Sequence, residues 1–215
     1  MLYALCSMRY AHMVWGNQLE IKRLEVGFFE NNCYVLTCPR TRESVIIDPA
    51  AEAQRILEET RGAKVRYILV THGHMDHIGA LEEVRKETGA AVGIHVQDAR
   101  ALGRRPDFFL EDGQMLTFGD VTPKVLHTPG HSPGGVCFLS GNVLLSGDTI
   151  FPNGPGNTAL PGADEQVILA SIHSKIFILP DHTVIYPGHG LETTVGREKA
   201  TSFYPVPRAM KRDHP

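Results

Sequence analysis

The segment Thr71–His77 constrains the fold of this chain more than any other feature of its sequence. It reads T-H-G-H-M-D-H and carries the pattern H-x-H-x-D-H. In a chain of this composition, such a pattern is expected by chance in about one sequence in a thousand. The run Arg66–Val70 before it predicts a buried strand, and the apolar spacing after it predicts a helix that begins near His77. A loop between a strand and a helix projects several side chains into one space, because a rigid element holds each of its ends.

The residue types in this segment are those that bind metal ions. Imidazole nitrogen and carboxylate oxygen ligate zinc at about 2.0–2.2 Å. An open catalytic zinc takes three protein ligands, whereas His72, His74, Asp76 and His77 offer four within six residues. The segment therefore predicts the beginning of a site for two ions, and we expect the remaining ligands from strand ends later in the chain.

Three later segments repeat one arrangement, in which an apolar run is followed by glycine and then by a ligand-type side chain. They are Leu126–Gly135 with His131, Leu144–Thr149 with Asp148, and Val184–Gly190 with His189. Their repetition after strands predicts that these side chains complete the site. His127, in the first segment, has two interpretations: a residue that supports a ligand, or an ordinary surface residue. The other histidines are interpreted as surface or packing residues.

Short β-branched runs alternate with helical patterns along the chain. The predicted strands are Cys33–Thr37, Ser44–Asp48, Arg66–Val70, Val92–His95, Lys124–Leu126, Val136–Leu139, Val143–Ser146 and Thr183–Tyr186, the first two forming a hairpin. The predicted helices are Glu52–Arg61, one from about His77 to Gly89, and the longest at Asp164–Leu179. This alternation favours an α/β (α+β) fold of two sheets covered by helices. We expect one domain at residues 21–200, an N-terminal extension at 1–20 with Met8 and Met13 as alternative starts, and a C-terminal tail at 201–215.

Composition narrows the function classes. Lys and Arg number 21 and Asp and Glu 24, which gives a net charge of −3. A nucleic-acid partner is not expected, because binding phosphates requires a clustered basic surplus. The N-terminus lacks the basic start of a signal peptide, no run reaches the roughly 18 apolar residues of a membrane span, and the four cysteines form no C-x-x-C pair. We therefore expect a cytoplasmic protein that acts on a small molecule without a membrane partner.

The four motifs, in chain order T-H-x-H-x-D-H, H-T-P-G-H-S-P-G, S-G-D-T and Y-P-G-H-G, resemble those of the metallo-β-lactamase fold superfamily. Within that superfamily they are most similar to the hydroxyacylglutathione hydrolase (glyoxalase II)-like branch. The resemblance runs from about Val26 to Lys199. It implies an αββα sandwich of two mixed β-sheets flanked by helices, with metal ions at one edge between the sheets.

The resemblance also implies a role for each of seven residues. It assigns His72, His74 and His131 to one metal ion, Asp76, His77 and His189 to the other, and Asp148 to a bridge between them. The expected cofactors are two divalent ions, zinc first, with iron or manganese as alternatives. Ions about 3.5–4 Å apart can hold one shared water and lower its pKa towards about 7. Asp76 has a second expected role, as the catalytic residue that passes a proton to the leaving group.

The leading interpretation of the activity is hydrolysis of a thioester, such as a hydroxyacylglutathione, or of a related ester. The motifs leave two alternatives open, a mono-iron persulfide dioxygenase that would use His72, His131 and Asp148, and a lactone or β-lactam hydrolase. Only 26 residues follow His189, too few for the helical segment with which full-length glyoxalase II enzymes hold glutathione. Gly156–Ala159 also stands where related enzymes carry Gly-Arg-x-Asp. We therefore expect the hydrolytic centre without assigning glutathione as the thiol.

Overall fold

The computed structural model describes residues 10–15 and 19–210. Its first strand, β1 (Tyr10–Trp15), pairs antiparallel with β2 (Leu19–Val26), so sheet pairing extends into the range 1–20 that the sequence assigned to an extension. Met8 and the end of the predicted tail, residues 211–215, lie outside the described residues. Among the residues that are described, no helix has the length and apolar character needed to cross a membrane.

The first sheet has seven strands that follow one another in chain order. After β1 and β2 come β3 (Asn31–Thr37), β4 (Glu43–Ile47), β5 (Lys64–Leu69), β6 (Ala91–His95) and β7 (Phe108–Leu110). Strands β1 to β4 are antiparallel, and β4 to β7 are parallel. Parallel neighbours need a crossover connection. The crossovers carry the helices α1 (Ala53–Glu59), α2 (Met75–Ile78) and α3 (Leu81–Thr88), and a 3-10 turn at Ala99–Leu102.

The second sheet has five strands and comes from the later part of the chain. They are β8 (Lys124–His127), β9 (Val136–Ser140), β10 (Val143–Gly147), β13 (Val184–Pro187) and β14 (Thr193–Thr194), in the spatial order β14-β13-β10-β9-β8. A small hairpin of β11 (Ile150–Phe151) and β12 (Gly154–Pro155) follows β10. Helix α4 (Glu165–Ser171) precedes β13, and α5 (Val195–Lys199) follows β14. A 3-10 turn at Arg208–Met210 ends the described chain.

The two sheets pack face to face around a shared apolar core. Ile21, Leu36 and Leu69 of the first sheet lie in one buried cluster with Phe138 and Leu145 of the second. Separate buried clusters lie on the outer faces, where α1 and α3 cover the first sheet and α4 covers the second. Because each sheet buries both faces, each needs a helical layer outside it. This arrangement confirms the expected αββα sandwich of two mixed sheets.

The predicted hairpin is confirmed as β3 and β4, which pair antiparallel from Tyr34 opposite Ile47 to Thr37 opposite Ser44. The helix after the histidine motif is divided in two, since α2 ends at Ile78 and α3 begins at Leu81. Helix α3 stops at the predicted Gly89, which has φ 64°. Glycine adopts this left-handed conformation at little cost, so it terminates helices.

The helix expected at Asp164–Leu179 is shorter as an α-helix. Asp164 caps its first turn by accepting two backbone N–H bonds, and α-helical bonding ends at Ser171. Five residues of π-helix, Ile172–Ile176, continue the same apolar face into the core. Beyond the domain end predicted at residue 200, Tyr204 is buried in that cluster, with only 6% of its surface exposed.

Candidate metal centre

The segments that carry the predicted site residues meet at one edge of the sandwich. In the first sheet the parallel strands β4 and β5 end at Ile47 and Leu69, and Thr71–His77 follows directly. In the second sheet the parallel strands β10 and β13 end side by side, with Gly147 opposite Pro187. The carboxyl ends of parallel strands lie at the same edge, which is where α/β sheets place their ligand sites.

The two sheets are joined at this edge by backbone hydrogen bonds. Asn32 N–H donates to the carbonyl of Gly188 (2.7 Å), and Val136 N–H donates to the carbonyl of Thr71 (2.9 Å). These bonds hold the loops of one sheet against those of the other. The site is therefore built between the two layers rather than on either one alone.

All seven predicted residues come together at this edge. Two groups of three are arranged as possible ligand sets, and in each the ligand atoms lie within 4.8 Å of one another. The groups are His72, His74 and His131, and Asp76, His77 and His189. They match the two triads that the resemblance implies.

Asp148 lies between the two triads. Its Oδ2 is 3.6 Å from His131 Nε2 in one triad and 3.6 Å from His189 Nε2 in the other. Its Oδ1 is 3.5 Å from His77 Nε2. A carboxylate in this position can reach ions held by both triads.

A buried carboxylate, Asp48, orients two of the histidines. His77 Nδ1–H donates to Asp48 Oδ2 (3.0 Å), and Thr71 donates to the same carboxylate through its backbone N–H (2.7 Å) and its hydroxyl (2.6 Å). Because the hydroxyl proton of Thr71 is used in this way, its oxygen accepts from His72 Nδ1–H (3.0 Å). Both rings therefore turn their Nε2 lone pairs into the site. Asp48, His72 and His77 also form a third ligand-type group, but these hydrogen bonds make Asp48 a support for the rings.

Two further histidines are oriented by backbone carbonyls. His131 Nδ1–H donates to the carbonyl of Asn157 (2.9 Å), and His189 Nδ1–H donates to the carbonyl of Phe29 (2.9 Å). Each ring is left with Nε2 as the nitrogen that faces the site, where His189 Nε2 lies 3.3 Å from Asn31 Nδ2. His74 differs, because its Nδ1 faces His131 Nε2 at 3.0 Å. Fixing one ring nitrogen with a hydrogen bond is how proteins set the tautomer of metal-binding imidazoles.

The unpaired atoms of the site fit metal ions. Within the described part of the chain, the buried atoms His72 Nε2, His77 Nε2 and Asp148 Oδ1 have no hydrogen-bond partner. Burying a polar group without a partner is costly, and each such group in a folded protein requires an explanation. All three are ligand-type atoms that point into one space, so divalent cations would satisfy them together.

The electrostatics of the site favour the ligand forms of His72, His74 and Asp148, whereas His77 holds a proton that a bound cation would have to displace. Burial and the neighbouring His77 ring hold the pKa of His72 well below its usual range, and burial and His131 lower the pKa of His74. Burial alone would lower the pKa of His77, but the carboxylates of Asp148 and Asp48 raise it to about 10. Burial would raise the pKa of Asp148, but the imidazoles of His77, His72 and His189 hold it well below its usual range. Neutral imidazoles and ionised carboxylates are the forms that bind metals.

Two glycines leave room for Asp148. A Cβ atom at Gly188 would lie 2.1 Å from Asp148 Oδ1 and 2.9 Å from His77 Cε1. A Cβ atom at Gly156 would lie 1.8 Å from the carbonyl oxygen of Asp148 and 3.2 Å from His131 Nδ1. Any side chain at either position would displace the groups of the site.

Two supporting residues were not predicted from the sequence. Asp98 accepts hydrogen bonds from Gly73 N–H (2.9 Å), Ser132 Oγ (2.7 Å) and Gly134 N–H (2.8 Å). Asn31 donates from Nδ2 to Asp76 Oδ2 (3.0 Å), and the same nitrogen lies 3.3 Å from His189 Nε2.

Asp48, by contrast, was named only as the last residue of a predicted strand. A carboxylate at a strand end is the same signal that marked Asp148. Asn31 and Asp98 carry no such signal, because neither directly follows an apolar run in the sequence.

His127 lies outside both triads. Its ring stacks on His95 with the centroids 4.0 Å apart, and its Nε2 lies 3.0 Å from the carbonyl of Pro133. Pro133 belongs to the loop that carries His131, so His127 contacts that loop without pointing into the site.

The chain matches known proteins over most of its length. A family model described as the metallo-beta-lactamase superfamily matches residues 26–189. The "Probable metallo-hydrolase YqgX" of Bacillus subtilis is 35% identical over 199 residues, which cover 83% of this chain and 93% of that protein. The "Hydroxyacylglutathione hydrolase GloC" of Haemophilus influenzae is 29% identical over 206 residues, which cover 86% and 97%.

Solved structures show the same similarity. The B3 metallo-beta-lactamase BLEG-1 has a TM-score of 0.79 at 36% identity, over 84% of this chain and 97% of its own. ETHE1 from Myxococcus xanthus has a TM-score of 0.78 at 27% identity, over 84% and 81%. TTHA1623 in a di-iron-bound form has a TM-score of 0.73 at 33% identity, over 87% and 99%.

Proposed function

Because this chain belongs to the metallo-beta-lactamase superfamily, we propose that it is a metal-dependent hydrolase of a small-molecule thioester or related ester. The observation that carries the proposal is the pair of histidine-containing triads that share Asp148, with unpartnered ligand atoms facing one space. We also propose that the protein acts in the cytoplasm.

The proposed ligands are the residues of the two triads. His72, His74 and His131 would hold one divalent ion, Asp76, His77 and His189 the other, and Asp148 both. Divalent ions held by these residues would supply a nucleophile at neutral pH, by lowering the pKa of a bound water, and would polarise the carbonyl oxygen of the substrate. The imidazoles contribute no charge in their neutral form. The carboxylates of Asp76 and Asp148 carry two negative charges, fewer than the four positive charges of two divalent ions. The metal-loaded centre would therefore remain positive, which favours binding of a carbonyl oxygen.

Transfer of the proton is assigned to a residue of the chain. In the hydrolysis of a thioester, a water oxygen adds to the carbonyl carbon, the C–S bond breaks, and a proton must reach the leaving sulfur. Asp76 is suited to carry that proton, because its Oδ2 lies at the site while Asn31 holds it by a hydrogen bond of 3.0 Å. The products are a carboxylic acid and a free thiol.

Two observations favour hydrolysis over the iron dioxygenase alternative. A single iron held by His72, His131 and Asp148 would leave the buried Nε2 of His77, 3.5 Å from Asp148 Oδ1, without a role as a ligand. The second triad is complete and oriented, which a one-metal reaction does not require. The similarity to a hydroxyacylglutathione hydrolase supports a thioester, and the similarity to a B3 β-lactamase makes a β-lactam the substrate to test beside it.

The experiment measures metal content and hydrolysis together. Protein reconstituted with zinc, iron or manganese is assayed for bound ions per chain and against S-acetyl-N-acetylcysteamine, S-lactoylglutathione and a cephalosporin. We expect close to two ions per chain and thioester hydrolysis. Asp148→Ala should lower both ion content and activity, the latter by about 100-fold or more.

Asp181→Ala is the matched control, because the Asp181 side chain is 74% exposed and pairs with Lys199 on the surface. Asp181→Ala should retain both the ion content and the hydrolytic activity of the wild type. A protein that binds one iron, hydrolyses no thioester and consumes oxygen with a persulfide would show that the hydrolase proposal is wrong.

A further inference from the structure

Large exposed apolar side chains are concentrated around the candidate metal centre. Of the five most exposed among the described residues, four lie within one or two residues of a group that contacts the site. These four are Phe28 (93% exposed), Met75 (70%), Leu191 (67%) and Phe29 (65%), and together they are called the apolar rim. Exposed apolar residues scattered singly are ordinary, whereas a contiguous group marks a binding surface.

Hydrogen bonds made by side chains of the site bring the segments of the apolar rim together. The carbonyl of Phe29 accepts from His189 Nδ1 (2.9 Å), and Leu191 is two residues beyond that histidine. Asn31, two residues after Phe29, donates to Asp76 (3.0 Å), the neighbour of Met75. Three separate segments, each carrying an exposed apolar side chain, therefore meet at the same site.

The aromatic end of the apolar rim is held in place. The turn that carries it is closed by the bond from Glu30 N–H to the carbonyl of Gly27 (3.3 Å) and anchored by Gly27 N–H to Glu52 Oε1 (2.8 Å). The rings of Phe28 and Phe29 pack edge to face with centroids 5.4 Å apart. A pre-arranged surface loses less conformational entropy when a ligand binds.

The segment of Leu191 is held in the same way. The carbonyl of the preceding residue, Gly190, accepts from Asn32 Nδ2 (2.9 Å) and from Arg23 Nη1 (2.9 Å). The backbone directly before Leu191 is thus anchored beside the site, while the Leu191 side chain is exposed.

The charges beside the apolar rim do not favour an anionic ligand. Arg23 lies 3.6 Å from Glu192, and Arg55 is paired with Glu52. Each of these cations, next to the segments of Leu191 and Phe28, already has a carboxylate partner. A substrate carrying carboxylates would have to compete for them, whereas a neutral apolar group would not.

We propose that the apolar rim binds the acyl group of the substrate, which makes the substrate class thioesters or esters of long, neutral, apolar acyl chains. This inference rests on the proposed function and names the substrate for it. The reacting carbonyl lies at the metal centre and the acyl chain lies along Phe28, Phe29, Met75 and Leu191. The exposed aromatic pair is covered only when the substrate is bound.

The test compares S-octanoyl- and S-acetyl-N-acetylcysteamine as substrates of the metal-loaded enzyme. Full burial of one methylene is worth up to a factor of about four. Partial burial of the six additional methylenes should raise kcat/KM for the octanoyl substrate at least about tenfold over the acetyl one. Phe28→Ser with Phe29→Ser should lower that ratio at least about fivefold, chiefly through KM. Both residues are on the surface, so the fold should tolerate the change.

Ile178→Ser is the matched control. Ile178 is 72% exposed, the remaining member of the five most exposed apolar residues, and follows the π-helical turn rather than a site segment. The octanoyl-to-acetyl ratio of kcat/KM in Ile178→Ser should equal that of the wild type.

A second measurement does not depend on turnover. Calorimetry follows the binding of the ketone analogue of the octanoyl substrate, in which a methylene replaces sulfur. Binding should weaken at least about fivefold in the Phe28/Phe29 variant and stay unchanged in Ile178→Ser.

The outcomes separate this inference from the proposed function. Thioester hydrolysis with the same octanoyl-to-acetyl ratio in both proteins would overturn the inference and leave the hydrolase intact. Ketone binding that depends on Phe28 and Phe29, without hydrolysis of any thioester, would refute the proposed function and retain the apolar site. A dimer that dissociates in the Phe28/Phe29 variant, with ketone binding unchanged, would show that a second copy of the chain covers the apolar rim and that the inference is wrong.

Discussion

The carboxylate of Asp98 accepts a hydrogen bond of 2.7 Å from the hydroxyl of Ser132, the residue that follows His131. The same carboxylate accepts from the backbone N–H of Gly73, between His72 and His74 (2.9 Å). One buried side chain therefore joins the two loops that carry the first triad. Asp76, His77 and His189 receive no bond from it and are supported instead by Asp48, Asn31 and the carbonyl of Phe29.

Replacing Asp98 with Asn should weaken the first triad selectively. An amide presents N–H groups where Asp98 now presents an acceptor oxygen to the donors of Gly73, Ser132 and Gly134, so at least one donor loses its partner. Leaving a buried donor unpaired costs about 1–3 kcal/mol of unfolding free energy. Affinity for one of the two ions should fall about 10- to 100-fold, as for other residues that support metal ligands. Titration of metal-free protein with Co2+, followed by absorption, measures both affinities.

The comparison for this variant is Asp181→Asn, a carboxylate on the surface that pairs with Lys199. It should leave both affinities and the unfolding free energy within about 0.5 kcal/mol of the wild type. Equal weakening of both ions in Asp98→Asn would contradict the assignment of Asp98 to the first triad.

The candidate site could be predicted from the sequence because each of its ligand-type residues comes directly after an apolar run. His72, Asp148 and His189 follow β5, β10 and β13 closely, and strands that are parallel end at the same edge. Short-range sequence patterns were therefore sufficient to predict which residues meet at the candidate site. The two-sheet architecture followed from the same runs together with the helical patterns between them.

The remaining features depend on contacts between residues far apart in the chain. Asp98 contacts Ser132 and Gly134, more than thirty residues later, and Asn31 contacts His189 at a separation of 158. The edge strand β7 and the two-residue strands β11, β12 and β14 are too short for a periodic signal. The end of α4 at Ser171 was not predicted, because the apolar face continues unchanged through the π-helical turn.

Gly188→Ala should weaken metal binding, although Gly188 has no side chain that could bind an ion. Its Cβ would lie 2.1 Å from Asp148 Oδ1, so the carboxylate or the strand end must move. Such crowding costs about 1–3 kcal/mol of unfolding free energy, and ion content should fall with it. Gly154→Ala is the control, since no heavy atom of the other described residues, its chain neighbours aside, lies within 4 Å of the added Cβ. Ion content that stays at the wild-type level in Gly188→Ala would show that the position of Asp148 is not needed for metal binding.

Removal of metal should destabilise the fold. The proposed ligands come from both sheets, so ions that bind only the folded protein hold the two layers together. A ligand at about 100 times its Kd contributes about 2.7 kcal/mol, which for a chain of this size corresponds to a Tm shift of about 5–10 °C. Calorimetry with and without chelator measures it. Asp148→Ala should show a smaller shift than the wild type, and a wild-type Tm that does not respond to the chelator would indicate that the ions do not link the sheets.

The stability of the metal-free protein should be greatest near pH 6.5. The carboxylates of Asp148 and Asp48 raise the pKa of His77 to about 10, against 6.5 in the unfolded chain, although burial opposes them. Its contribution to stability is therefore fully present below pH 6.5 and is lost as the pH rises towards 10. Burial, with the neighbouring imidazoles, lowers the pKa of His72 and of His74, so the unfolded state binds more protons there and stability falls as the pH drops below 6.5.

His77→Gln separates the two sides of this pH profile. Without the imidazolium between Asp148 and Asp48, the loss of stability between pH 6.5 and about 8.5 should disappear, while the loss below 6.5 caused by His72 and His74 should persist. Above about pH 8.5 the buried thiols of Cys33 and Cys137, whose pKa values burial raises, add a loss of their own in both proteins. Urea unfolding of metal-free protein at a series of pH values measures both. An alkaline loss of the same size in His77→Gln would mean that a group other than His77 causes it, and that the two carboxylates do not hold its proton in the folded state.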